Sequence, residues 1–145
     1  MRKLALFLLA GAALAQAPVS FKPRIVGNLK QVMRSILLPN SDLIFAVQQT
    51  PPKDDKAWAD VANAAVALGE SASLITMPGR TFSDGLPVPF AKRNWVRFSQ
   101  ALVEASKATL KAAQAKDAEA VGNSTDALSA ACDNCHRVYR DKPAK

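Results

Sequence analysis

The chain has 145 residues, enough for one domain with its own core. Hydrophobic residues make up 49% of it and charged residues 21%, a balance that excludes a disordered or low-complexity protein. The formal net charge is +7, yet no basic run exceeds two residues and no aromatic stacking pattern accompanies it, so nucleic acid is excluded as a partner.

Taken in order, the chain opens with what reads as a signal peptide, residues 1–15. Met1-Arg2-Lys3 is a short basic start. Leu4 to Leu14 is an apolar run too short to span a bilayer, and Ala13-Leu14-Ala15 is a small-residue cleavage site. Cleavage is expected before Gln16 rather than after Ala17, where Pro18 would follow; an uncleaved anchor is the alternative. No Cys follows the apolar run, so a lipid anchor is not indicated. Residues 16–145 are expected to form one domain. Its charge is lower than +7 by the two cations Arg2 and Lys3.

Pro18 and Pro23 keep the lead-in extended. A first helix is predicted from Arg24 to Leu38, with Ile25, Leu29, Val32 and Ile36 as one seam and Val26, Met33 and Leu37 as a stripe beside it. Pro39 is expected to end it. Asn40-Ser41-Asp42 then offers a new cap for a short continuation, Leu43 to Val47. A second helix is predicted from the caps Asp54 and Asp55 to Ile75, burying Trp58, Val61, Ala62, Ala65, Leu68, Ala72 and Ile75. Residues 79–91, with two glycines and two prolines, form the longest loop, read as a crossover rather than a lid or docking surface.

The third helix is predicted from Lys92 to Ala115, with Trp95, Phe98, Leu102, Ala105, Thr109 and Ala112 as its seam. The fourth runs from Asp117 to Arg140. Val121, Thr125, Leu128, Cys132, Cys135 and Tyr139 repeat every three or four residues along it. Gly122 is either a weak point or a place of close packing. No strand-like alternation is present. Four amphipathic helices with short links predict an all-α antiparallel four-helix bundle.

Residues 132–136 are Cys-Asp-Asn-Cys-His, a C-x-x-C-H pattern, and they contain both cysteines and the one histidine of the chain. Residues three and four apart share a helix face. Cys132 and Cys135 can therefore reach the two vinyl edges of one porphyrin, and His136 its iron. The rival readings are weaker. A local disulfide leaves His136 idle, and a zinc site lacks a fourth ligand. A thioredoxin-like pair wants a βαβ context. One covalent haem c is the expected cofactor.

His136 takes one axial position, and no second histidine exists for the other. Met33 and Met77 remain once Met1 leaves with the signal peptide. Met77 precedes Pro78 at a helix end and reads as a packing residue. By spacing alone, Met33 is either the sixth ligand or a core filler. Arg140 lies four after His136, near the haem or simply at the helix terminus. Lys30, Arg34 and Arg137 can meet propionates or stand solvated. Trp58 and Trp95 read as core rather than electron relays. No catalytic acid–base pair or nucleophile stands out, so no enzyme activity is expected.

The chain resembles the cytochrome c′ family over essentially the whole of residues 16–145. The resemblance rests on C-x-x-C-H near the C-terminus, on Cys135-His136-Arg137-Val138-Tyr139-Arg140, on Trp95-x-x-Phe98, and on Lys30-Gln31-Val32-Met33-Arg34. It implies a cytochrome c′-like fold and attachment of haem outside the cytoplasmic membrane, hence a periplasmic protein. Low-spin members carry a methionine ligand where Met33 stands, and the family carries an arginine near the axial histidine and the proximal haem face where Arg140 stands. Typical members leave the iron five-coordinate. The implied function is one-electron transfer with redox partner proteins, acidic ones given the positive charge; a homodimer through the first two helices is also implied. Two other functions stay open: a five-coordinate haem protein binding small gases such as NO or CO, and an interaction protein with a degenerate haem site.

Overall fold

A computed structural model describes residues 23–140. The expected signal peptide and its cleavage site lie outside the described residues, as does the tail after Arg140. Among the described residues there is no strand, only a bridge between Thr81 and Pro87. Four long helical stretches pack against one another. The first, α1, covers residues 29–46: an α-turn at Leu29–Val32, a π-turn at Met33–Leu37 and a further α-segment at Leu38–Ala46. The others are α2 (Asp55–Ile75), α3 (Arg93–Gln114) and α4 (Ala118–Tyr139). Each packs on its neighbour in the chain, and α1 also touches α4.

The bounds of α2 and α4 follow from their caps. Asp54 accepts from the Ala57 amide and Asp117 from the Ala120 amide, each satisfying an orphan donor of a first turn. The seam of α4 is buried at Val121, Thr125 and Leu128, as are Thr109 and Ala112 of α3, and the two helices pack against each other. The Thr109 and Ser124 hydroxyls share a hydrogen bond of 2.8 Å there. Gly122 serves close packing: a Cβ at that position would stand 3.3 Å from Gln48. The Gln48 side-chain amide donates to the Gly122 carbonyl and to Thr125 Oγ1, both at 3.1 Å.

The start of α1 differs from expectation. It begins at Leu29, not Arg24, because Asn28 and Gln31 form a capping box: the Asn28 side chain accepts from the Gln31 amide and the Gln31 side chain from the Asn28 amide, each at 2.9 Å. Val26, expected in the second stripe, is 99% exposed.

Pro39 does not end the helix either. A proline in a helix has no N–H and its ring crowds the carbonyl four residues back, here that of Ser35. The chain widens instead of breaking. The Leu38 amide donates to the Met33 carbonyl, five residues back, and the Asn40 side chain donates to the Ile36 carbonyl at 2.6 Å. The wide turn also shifts the register. Leu29 and Val32 are buried, and the next buried residue is Leu37 rather than the expected Ile36.

The segment between α2 and α3 folds back on itself: the Phe82 amide donates to the Leu86 carbonyl at 2.8 Å and the Val88 amide to the Arg80 carbonyl at 2.9 Å. Phe82 packs edge-on against Trp95, with ring centres 6.1 Å apart. Val88 and Arg80 are buried beneath it. The Arg80 guanidinium donates to the Leu74 and Gly27 carbonyls at 2.6 Å each, tying α2 and the approach to α1 together. Burial without a carboxylate lowers its pKa from the ordinary value.

Candidate functional site

The seam of α4 changes character after Ala131. Cys132, Cys135 and His136 are half-buried, and all three line one cavity with an empty volume of about 400 Å³, part of it open to solvent. The enclosed part of it is about 50 Å³. The opposite wall is Met33 and Leu37 from the π-turn of α1. Ile75 from α2 and Phe98, Ser99 and Leu102 from α3 complete it. Ser99 does not disturb this apolar lining, because its hydroxyl donates to the Trp95 carbonyl at 3.0 Å.

The structure therefore brings together Cys132, Cys135, His136 and Met33, residues about a hundred positions apart in the chain. The wide turn places both Met33 and Leu37 on the cavity wall. Π-turns are rare and concentrate at functional sites. Met77 lies elsewhere, beside the Arg80 guanidinium at 3.9 Å.

Both cysteines are free thiols. Burial, and then the neighbouring Cys132, pushes the Cys135 thiol up to about 11. Burial, and then the Asp133 carboxylate, also raises Cys132. Thiols held this way are poor nucleophiles and poor zinc ligands at neutral pH. Among the described residues, no group of three or more His, Cys, Asp or Glu side chains is arranged to hold a metal ion by itself. The donor chemistry fits a haem instead: one imidazole, one thioether, two thiols on one helix face, and apolar walls.

The charged candidates stand outside the lining. Arg140 is exposed at the C-cap, where the backbone has turned extended and its amide donates to the His136 carbonyl at 2.9 Å. Arg137 is exposed and donates to the Asn134 side chain. Lys30 and Arg34 are exposed on either side of Met33. Tyr139 is half-buried, 4.8 Å from the Trp95 ring and 6.4 Å from the Phe98 ring between centres, and its hydroxyl donates to Asn94 at 2.5 Å. Trp58 and Trp95 are buried core residues. Leu37, Ile75 and Leu102 were legible only as apolar positions; nothing in their spacing marks them as cavity walls.

Comparison with protein-family models, with curated proteins and with solved structures finds no match to this chain.

Proposed function

We propose that this protein is an exported, monohaem c-type cytochrome that carries single electrons, its helices forming an antiparallel four-helix bundle of the cytochrome c′ type. The observation that carries the reading is the cavity shared by Cys132, Cys135, His136 and Met33. Cys132 and Cys135 would hold one haem by thioether links, and His136 and Met33 would ligate its iron. Bound there, the haem supplies reversible one-electron chemistry, at a potential raised by the His/Met pair.

The chain supplies position and dryness. α4 presents both cysteines and His136 on one face, so three attachment points share one rigid element. Leu37, Ile75, Leu102 and Phe98 give the cavity apolar walls, which disfavour water beside a bound haem. The three-residue link at 115–117 supports the antiparallel arrangement, because so short a connection joins neighbours running in opposite directions. The apolar run at residues 4–14 supports export to the periplasm. Leu38 and Leu43, exposed on α1, suit a homodimer through α1 and α2.

Visible spectra of the oxidised and reduced protein, with and without carbon monoxide, test the reading. The expected result is a low-spin haem that Met33→Ala converts to high-spin. A wild-type protein that is high-spin and binds carbon monoxide readily would replace the carrier with a gas-binding protein.

A further inference from the structure

Among the described residues the arginines gather at one end of the molecule. Call the end that holds the cavity the near end: the first half of α1, the C-terminal end of α2, the first half of α3 and the last turns of α4. Among the described residues six of the seven arginines belong to it, and the seventh, Arg24, precedes α1. Arg34, Arg93, Arg97, Arg137 and Arg140 stand exposed there, and Arg80 is buried beneath them. Towards the far end the cations are all lysines, and the three ion pairs among the described residues are made by Lys56, Lys107 and Lys116. No arginine joins an ion pair among the described residues.

This sorting costs the fold something. α2 and α4 begin with an aspartate cap and an acid in the first turn, as the helix dipole prefers. α3 does the opposite. Its N-cap is Lys92, without a side-chain cap, its first turn carries Arg93 and no acid, and no acidic residue occurs between Asp84 and Glu104. A local rule broken at one helix and kept at two others marks a place shaped by something other than stability. The start of α3 is locked to the end of α4 by the Tyr139–Asn94 hydrogen bond, so the exposed Arg93 and Arg97 stand at the same end of the molecule as Arg137. Val96 and Val138 are partly exposed among them, as is Phe90 just before α3.

We propose that this surface, formed by residues 90–97 and 137–140, is the docking face for an acidic protein partner. The inference rests on the electron-carrier reading for its purpose, since the face adjoins the cavity. Arginine is enriched in protein interfaces because its planar fork pairs with carboxylates and its stem packs on apolar groups. A polyanion bound by charge alone would be served equally by lysine, and the partly exposed valines would have no use. The far end carries Asp42, Asp54, Asp55, Asp60, Asp117 and Glu119, which keep a like-charged partner away from it.

The test uses the mature protein, isotope-labelled and titrated with an acidic ferredoxin as probe, with binding measured by calorimetry and the site by amide shifts. Shifts are expected to gather on residues 90–97 and 137–140. The triple variant Arg93→Glu, Arg97→Glu, Arg137→Glu should bind about tenfold more weakly or worse. The variant Lys53→Glu, Lys107→Glu, Lys111→Glu, with the same change in net charge, should bind within about twofold of wild type. Equal losses in both variants, or shifts centred on the far end, would overturn the proposal. So would vesicles of phosphatidylglycerol, or duplex DNA, binding this face more tightly than the ferredoxin at physiological ionic strength. A colourless protein that still maps the probe here would leave the face standing and sink the carrier reading. A haem-loaded protein that maps it elsewhere would do the reverse.

Discussion

The two halves of α4 carry the same spacing and different surroundings. Val121, Thr125 and Leu128 sit in a closed core, with Leu128 fully buried against α3. Cys132 and Cys135 continue the pattern, yet the core parts around them and a cavity takes its place. A repeat of apolar and small residues therefore says that a face points inward. It does not say whether other side chains or a prosthetic group will meet it.

Several changes break or sharpen this contrast, and their effects should fall in order. Replacing both Cys132 and Cys135 with Ser should abolish covalent haem entirely, read as loss of the haem-stained band on a denaturing gel. Changes in the closed half should act on stability instead. Leu128→Ala should cost about 2–5 kcal/mol in urea unfolding of the apoprotein. Phe98→Ala, on the cavity wall, should cost the apoprotein clearly less, because that side chain is only half-buried. Equal costs would mean that the two halves are packed alike.

Pro39→Ala tests whether the wide turn sets the cavity wall. It should let α1 relax toward a regular helix and raise apoprotein stability by up to about 3 kcal/mol. In the haem-loaded protein it should weaken the low-spin signature by moving Met33. A more stable apoprotein with an unchanged spectrum would separate the turn from the ligand.

Smaller again is a pH effect. The folded apoprotein holds the Cys135 proton to about pH 11, above the ordinary value of 9.0. Stability from the neutral thiol is thus complete below pH 9 and lost as pH rises toward 11. Cys132→Ser/Cys135→Ser should flatten that part of the curve. The smallest effect belongs to the Lys116–Asp55 pair, exposed at 2.7 Å. Asp55→Asn should change stability by less than about 1 kcal/mol, and salt should erase the difference.

Much of this was legible in the chain because local chemistry decides it. The aspartate cap at 54, the seams of α2, α3 and α4, and the cluster Cys132–Cys135–His136 need no knowledge of what surrounds them. The misread places depend on compromise between levels. Pro39 is a helix breaker by its own nature, and only the packing of residues on both sides makes a wide turn the better outcome. Gln31 is an ordinary polar residue until Asn28 answers it. That Met33 faces the cysteines across a cavity depends on all of these at once.

The most direct test of the central claim is the intact mass and colour of the protein, exported and purified from a host that matures c-type cytochromes. The account predicts a coloured protein heavier than residues 16–145 by one haem, bound through Cys132 and Cys135. A colourless product at the mass of the polypeptide alone would contradict it.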